Sequence, residues 1–199
     1  MKGVTDWNQR YSTLESAYGF RPNKFLKEQL SLLKPSSILL PGEGEGRNAL
    51  WAAKQGWDVS AFDYSEVAHN KALNLFRENG VIVNYTVCDA LDYHYKIGFD
   101  VVALIFVHLP GDIRPIFYQK IISAIKPKGK LIIECFHPEQ ILRSSGGPKN
   151  PELLPSMDEL KKAFDSLQFR LLQKVEVELS EGSLHQGKAI VIRLIAEKV

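Results

Sequence analysis

An α/β fold is predicted, built on a doubly wound, mostly parallel sheet of seven strands that closes with an antiparallel hairpin strand. Three stretches carry that prediction. Ser37 to Leu40 is a short apolar run, Pro41 to Gly46 a glycine-rich turn, and Asn48 opens an apolar-periodic helix, which together make the first half of a nucleotide-binding unit. Trp57 to Asp63 alternates like a strand and ends in an acid. Phe99 to Val107 is apolar almost without break, as a strand covered on both faces must be.

The charge of the glycine turn narrows its ligand. Gly42, Gly44 and Gly46 fall on alternate positions and let a ligand lie against bare backbone. A pyrophosphate wants backbone N–H groups with no anions nearby. Glu43 and Glu45 sit inside this turn, only partly offset by Arg47. They would repel a diphosphate and suit a ligand carrying ammonium and sulfonium charges, as S-adenosylmethionine does. A bland structural turn is the competing reading. Asp63, at the tip of the second strand, stands where a carboxylate accepts from both hydroxyls of a nucleoside ribose.

The run Leu40-Pro41-Gly42-Glu43-Gly44-Glu45-Gly46-Arg47-Asn48-Ala49, followed by Phe62-Asp63-Tyr64-Ser65, resembles the class I S-adenosylmethionine-dependent methyltransferases. Within them it is similar to the tellurite-resistance and thiopurine-type small-molecule enzymes. The resemblance covers nearly the whole chain and is more specific for cofactor than for substrate. It implies a Rossmann-like sheet, S-adenosyl-L-methionine as cofactor, and a binding set of Arg10, Gly42, Glu43, Gly44, Gly46, Asp63, Tyr64, Ser65, Asp89, Ala90 and Phe106. Many relatives carry an acid two residues before the first glycine. Here that position is Leu40, and Glu43 is read as taking over its electrostatic role.

The 199 residues, 45% of them hydrophobic, suit one domain spanning 1–199. A formal net charge of +2 gives no electrostatic case for nucleic acid as a partner. Cys88 and Cys135 lack metal-ligand spacing and read as buried thiols, so no metal is expected. Met1 to Asp6 has no apolar signal core, and no segment is long enough to span a bilayer, which implies a cytoplasmic protein without a membrane partner.

In chain order, residues 1–25 crowd aromatics with Arg10 and Asn23. They read either as a docked segment covering the core or as a lid, in which Arg10 or Asn23 meets the cofactor carboxylate. Phe25 to Leu33 reads as a helix ended by Lys34-Pro35. The helix from Asn48 to Gln55 is capped by Gly56, and Ser65 caps the next, whose face is Ala68, Ala72, Leu75 and Phe76. His69 on that helix reads as a surface residue. Val81 to Cys88 reads as a strand, and Asp89 after it either caps a turn or, as in the relatives, accepts from the adenine amine.

The end of the fourth strand, Phe106 to His108, opens onto the cofactor, and Asp112 to Ile125 is a helix with Pro115 in its first turn. Lys126 to Lys130 reads as a solvated loop before a strand from Lys130 to Phe136. The stretch 138–155 reads as a long loop at the ligand edge and a substrate wall, with Arg143 and Lys149 as anion contacts or simply solvated charges. A helix over 158–167 precedes two strands, 171–179 and 188–196, whose turn carries Glu181 and His185 to the substrate side.

Methyl transfer is an in-line displacement in which positioning and exclusion of water supply much of the rate. A thiolate or chalcogen oxyanion needs no base, whereas a neutral amine or hydroxyl can use one. His185 is the candidate base, against the alternative of an ordinary loop histidine, with His108 and His137 behind it. The tellurite-resistance relatives place a histidine–arginine pair at the matching turn. This chain has His185-Gln186, which counts against tellurium or selenium oxyanions and leaves a thiol or other soft small molecule as acceptor. A nicotinamide-dependent oxidoreductase and a non-catalytic S-adenosylmethionine-binding protein are the alternatives. Oligomeric state is not legible.

Overall fold

The structure is a computed structural model that describes residues 7–12, 16–95 and 98–199. A short helix α1 (Trp7–Ser12) and α2 (Lys24–Leu30) precede the alternation β1 (Ser37–Pro41), α3 (Arg47–Lys54), β2 (Asp58–Asp63), α4 (Glu66–Glu78), β3 (Asn84–Val87), β4 (Phe99–Ile105), α5 (Arg114–Ala124) and β5 (Ile125–Phe136). Helix α6 (Met157–Ala163) and the hairpin β6 (Gln168–Glu181) and β7 (His185–Glu197) complete it. The seven strands form one sheet in the order β3-β2-β1-β4-β5-β7-β6. The pairs among β1 to β5 are parallel, and β7 runs antiparallel to both β5 and β6. This is the expected Rossmann-like, doubly wound seven-stranded sheet with its antiparallel hairpin.

Strand alternation fills both faces. Ile38, Leu40, Val101 and Ala103 turn to one side with α2 and α3 residues such as Leu26 and Ala49. Leu39, Val102 and Leu104 turn to the other with Phe117, Ile121 and Phe164. That two-sided burial is why β4 reads as an unbroken apolar run. Chain reversal begins at polar caps: Asn23, Ser65 and Ser156 accept from the backbone N–H of Leu26, Ala68 and Glu159 respectively.

Several boundaries differ from the sequence reading. Strand β3 starts only at Asn84, because β2 gives it partners from Ser60 to Asp63 alone, and Ile82 is left 93% exposed. Helix α2 ends at Leu30 and α6 at Ala163, each short of the predicted span. The basic stretch is no free loop: Ile125 pairs with Phe99, the chain bulges, and pairing resumes at Lys130 with Val101. Lys126 meets Asp100 at 2.8 Å and Lys130 meets Glu197 at 3.2 Å. The 138–155 stretch contains two single 3₁₀ turns, Pro138–Leu142 and Pro151–Leu153. The hairpin extends further than predicted, so Glu181 and His185 form the last cross-strand pair and only three residues turn between them.

No helix among the described residues is long and apolar enough to cross a membrane. The reading of Met1 to Asp6 falls outside the described residues.

Candidate active site

The turn after β1 is fixed by backbone geometry and by carboxylates. Gly44 has φ +65°, and a Cβ there would lie 2.5 Å from the Tyr11 hydroxyl; Gly46 has φ +86°, and a Cβ there would lie 2.7 Å from the Phe76 ring. Since Gly46 offers no side chain to cap α3, Glu43 does so: its Oε1 accepts from the N–H of Asn48 and of Ala49, both at 2.8 Å. Burial pushes the Glu43 carboxyl up to about 7, against the pull of the Ala49 and Asn48 hydrogen bonds and the Arg47 charge.

Asp63 accepts from Gly44 N–H and from Ser65 N–H, both at 2.9 Å, and so ties the turn to the end of β2. Burial raises its pKa while the backbone donors of Ser65, Gly44 and Tyr64 oppose the shift. Glu45 corrects the electrostatic argument drawn from the turn. It points away from the ligand edge, accepting from Ala17 N–H at 2.7 Å and pairing with Lys71 at 2.9 Å.

A cavity of about 400 Å³ opens at the carboxyl ends of β1, β2 and β4. Of the predicted binding set, Gly42, Glu43, Asp63, Tyr64, Asp89, Ala90 and Phe106 line it. Gly44, Gly46 and Ser65 do not. Gly44 lies beneath Tyr11, Gly46 packs on Phe76 and Ala72, and Ser65 is fully buried as the cap of α4, donating its hydroxyl to Asn8 at 2.7 Å. Asp89 caps a turn, its Oδ1 accepting from Leu91 N–H at 3.0 Å, and it also lines the cavity. Phe106 takes φ +53°, a rare conformation for a bulky residue, and it falls where β4 meets the cavity.

A second cavity of about 270 Å³ lies beside the first, and Arg10 lines this one. The predicted substrate loop supplies Ser144, Gly146, Gly147, Pro148 and Lys149 to its wall. Trp7, Tyr18, His108 and His185 line both cavities and form the partition between them. The lining charges differ in sign. Glu43, Asp63, Asp89 and Asp112 line the first cavity together with Arg47, leaving carboxylates in excess, whereas the second is lined by Arg10 and Lys149 and by no carboxylate among the described residues.

His185 is 3% exposed and sits among Tyr18, Phe106 and Phe136, with ring centroids 4.5, 4.8 and 5.2 Å away. Its Nδ1 is 3.5 Å from Glu181 Oε2, an electrostatic contact that falls short of a hydrogen bond. Burial lowers its pKa, with Glu181 pulling the other way. Glu181 in turn accepts from Arg47 at 2.8 Å and from Asn23 at 3.0 Å. Burial alone would raise its pKa, yet His185 and Arg47 bring it down to about 2. Asn23 also donates to Glu134 at 2.7 Å, and Glu134 accepts from Arg193 at 2.6 Å. Asn23 is therefore committed to this buried network and lines neither cavity.

His108 is held between Trp7 and Phe136 in near-parallel stacks, and burial pushes its pKa down to about 3. His137 is spent as the cap of a 3₁₀ turn, and Arg143 pairs with Glu176 at 2.7 Å on the hairpin. Sequence reasoning missed the Arg47–Glu181–Asn23–Glu134 network. Its four members belong to α2, α3, β5 and β6, and nothing in their spacing joins them.

Residues 38–129 match the family described as a methyltransferase domain. A search of curated proteins finds no match. Among solved structures the chain is similar to TehB from Haemophilus influenzae, at 17% identity with TM-score 0.74, covering 97% of this chain and 66% of that one. A SAM-dependent methyltransferase from Methanosarcina mazei aligns at 17% identity with TM-score 0.71, over 90% of this chain and 99% of its own. A structure described as the conversion of a disulfide bond into a thioacetal group during echinomycin biosynthesis aligns at 17% identity with TM-score 0.75, over 99% and 88% of the two chains. The chain thus has the fold of SAM-dependent methyltransferases.

Proposed function

We propose that the protein transfers a methyl group from S-adenosylmethionine to a small-molecule acceptor with a soft nucleophile, most simply a thiol. The observation that carries this reading is the pair of cavities sharing the partition of Trp7, Tyr18, His108 and His185. Two substrates that must meet in line need two adjoining chambers, and each is smaller than a macromolecular groove. The thioacetal-forming relative in echinomycin biosynthesis supports sulfur chemistry on this fold by analogy.

The residues of the larger cavity fit a cationic nucleoside. The Asp63 carboxylate gives one lone pair per oxygen to the backbone and keeps the others for ribose hydroxyls. Asp89 is the acceptor for the adenine amine, Ala90 and Tyr64 flank it, and Gly42 leaves the backbone bare. Glu43 supplies the acidic wall. When bound, the cofactor supplies a methyl carbon made electrophilic by its sulfonium centre. Around it Trp7, Tyr18 and Phe106 exclude water, Arg10 borders the acceptor chamber, and His185 takes the acceptor's proton where there is one. Chalcogen oxyanions are the weaker acceptor class, because Gln186 stands where the tellurite-resistance relatives have arginine.

Thermal-shift titration tests the reading. S-adenosylhomocysteine should raise the melting temperature and NAD should not; stabilisation by NAD alone would reassign the site to a nicotinamide enzyme.

A further inference from the structure

Taking the methyl-transfer reading as its premise, we infer that Glu181 is a positioning residue that fixes the tautomer of His185, and that the acceptor is a molecule whose nucleophile still carries a proton. The closing of the hairpin makes Glu181 and His185 the terminal pair of β6 and β7, so the two side chains are brought together by strand register. Within the structure, Nδ1 of His185 is buried and without a hydrogen-bond partner, and Glu181 Oε2 lies 3.5 Å from it. A contraction of a few tenths of an ångström completes an Nδ1–H···O bond, a tightening that catalytic hydrogen bonds undergo in the substrate complex.

The opposite edge of the ring faces the acceptor chamber. A Cβ built on Gly146, which lines that chamber, would come 2.7 Å from Cδ2 and 3.4 Å from Nε2 of His185. A proton held on Nδ1 by a carboxylate leaves Nε2 with its lone pair, on the side where the acceptor enters. Glu181 is itself held: Arg47 and Asn23 bind one oxygen each, so the carboxylate can neither rotate away nor be protonated easily. Burial lowers the pKa of the imidazole and so favours its neutral form, in a surround formed by Glu181, by Arg47 on α3, by Arg10 on α1 and by His108 after β4.

The step balances with these groups alone. The acceptor's lone pair forms the new bond to the methyl carbon, the carbon–sulfur bond breaks with its electrons going to sulfur, and the acceptor's proton passes to Nε2. A fully ionised oxyanion has no proton to give and gains nothing from this arrangement. A neutral thiol, hydroxyl or amine does.

The test starts with the unaltered protein, labelled with ¹⁵N-histidine and saturated with S-adenosylhomocysteine. The His185 resonances should show Nδ1 protonated and Nε2 bare; a proton on Nε2 would overturn the inference. Turnover is then followed as S-adenosylhomocysteine release with 2-mercaptoethanol, phenol and aniline, and with sodium selenite in alkaline buffer, where it is the fully ionised dianion. One of the first three should be methylated and selenite should not, and selenite as the preferred acceptor would also overturn it. In Glu181→Gln, kcat should fall about tenfold and the acid limb of the kcat profile should move to lower pH. An unchanged profile would reduce Glu181 to a structural role. Failure of S-adenosylhomocysteine to bind at all would instead refute the methyl-transfer reading, and thermal shift detects that separately.

Discussion

The two cavities are built by opposite means. The larger one is made at the ends of consecutive strands: the turn at 42–46 follows β1, Asp63 ends β2 and Asp89 lies two residues past β3, and backbone amides hold the two aspartates in place. The smaller one is assembled from segments far apart in sequence. Arg10, His108, the loop of Gly146 and Lys149, and His185 come from four different parts of the chain, and rings and long side chains form much of its walls. One chamber is acidic and rigid because the fold demands it. The other is basic and particular to this chain, and a common sheet can therefore keep its cofactor while its acceptor changes.

Mutations should separate the chambers. Asp63→Ala removes the ribose acceptor and the clamp on Gly44 together, and S-adenosylhomocysteine affinity should fall at least about a hundredfold by calorimetry, since two bonds to a carboxylate are lost. His185→Ala should also lower kcat about a hundredfold, yet leave that affinity within about twofold. If both variants lose cofactor binding equally, the chambers are not independent. Gly146→Ala should raise the acceptor KM and lower the melting temperature, because its φ of +122° disfavours a side chain and the Cβ would lie 2.6 Å from the Leu184 carbonyl. Cofactor affinity should not respond.

The smallest effect concerns pH, where the two buried acids differ in sign. Glu43 has its folded pKa raised to about 7 from 4.5, so its stability contribution is full below 4.5 and is lost as pH rises through 7. Glu181 has its folded pKa lowered to about 2, so its contribution is full above 4.5 and is lost as pH falls towards 2. Urea unfolding from pH 5 to 9 should show Glu43→Gln gaining on the wild type as pH increases. A constant difference across that range would mean Glu43 does not titrate there.

The same contrast explains what the sequence disclosed. Strand, turn and helix around Gly42 to Gly46 are specified by neighbours, and so is Ser65 as a cap, so pattern and spacing reveal them. The orientation of Glu45 depends on Lys71 and on Ala17, which only the folded chain brings near. Pairing decides where β3 begins and how far the hairpin runs, and a β-propensity run carries no information about its partner's length. Asn23 looked available for a ligand because the acceptors of its side-chain amide, Glu134 and Glu181, lie far along the chain.

One amide has an effect out of proportion to its size. Gln140, wholly buried, donates to the Ser145 hydroxyl and the Gly146 carbonyl while its own oxygen accepts from Ile190 N–H, at 2.9, 3.0 and 2.8 Å. The bend that roofs the second chamber is thereby stitched to β7 ahead of any guest. Molecules reaching that chamber meet a mould already cast, so selection among them runs on outline and volume, and little of the binding free energy is consumed in shaping the wall.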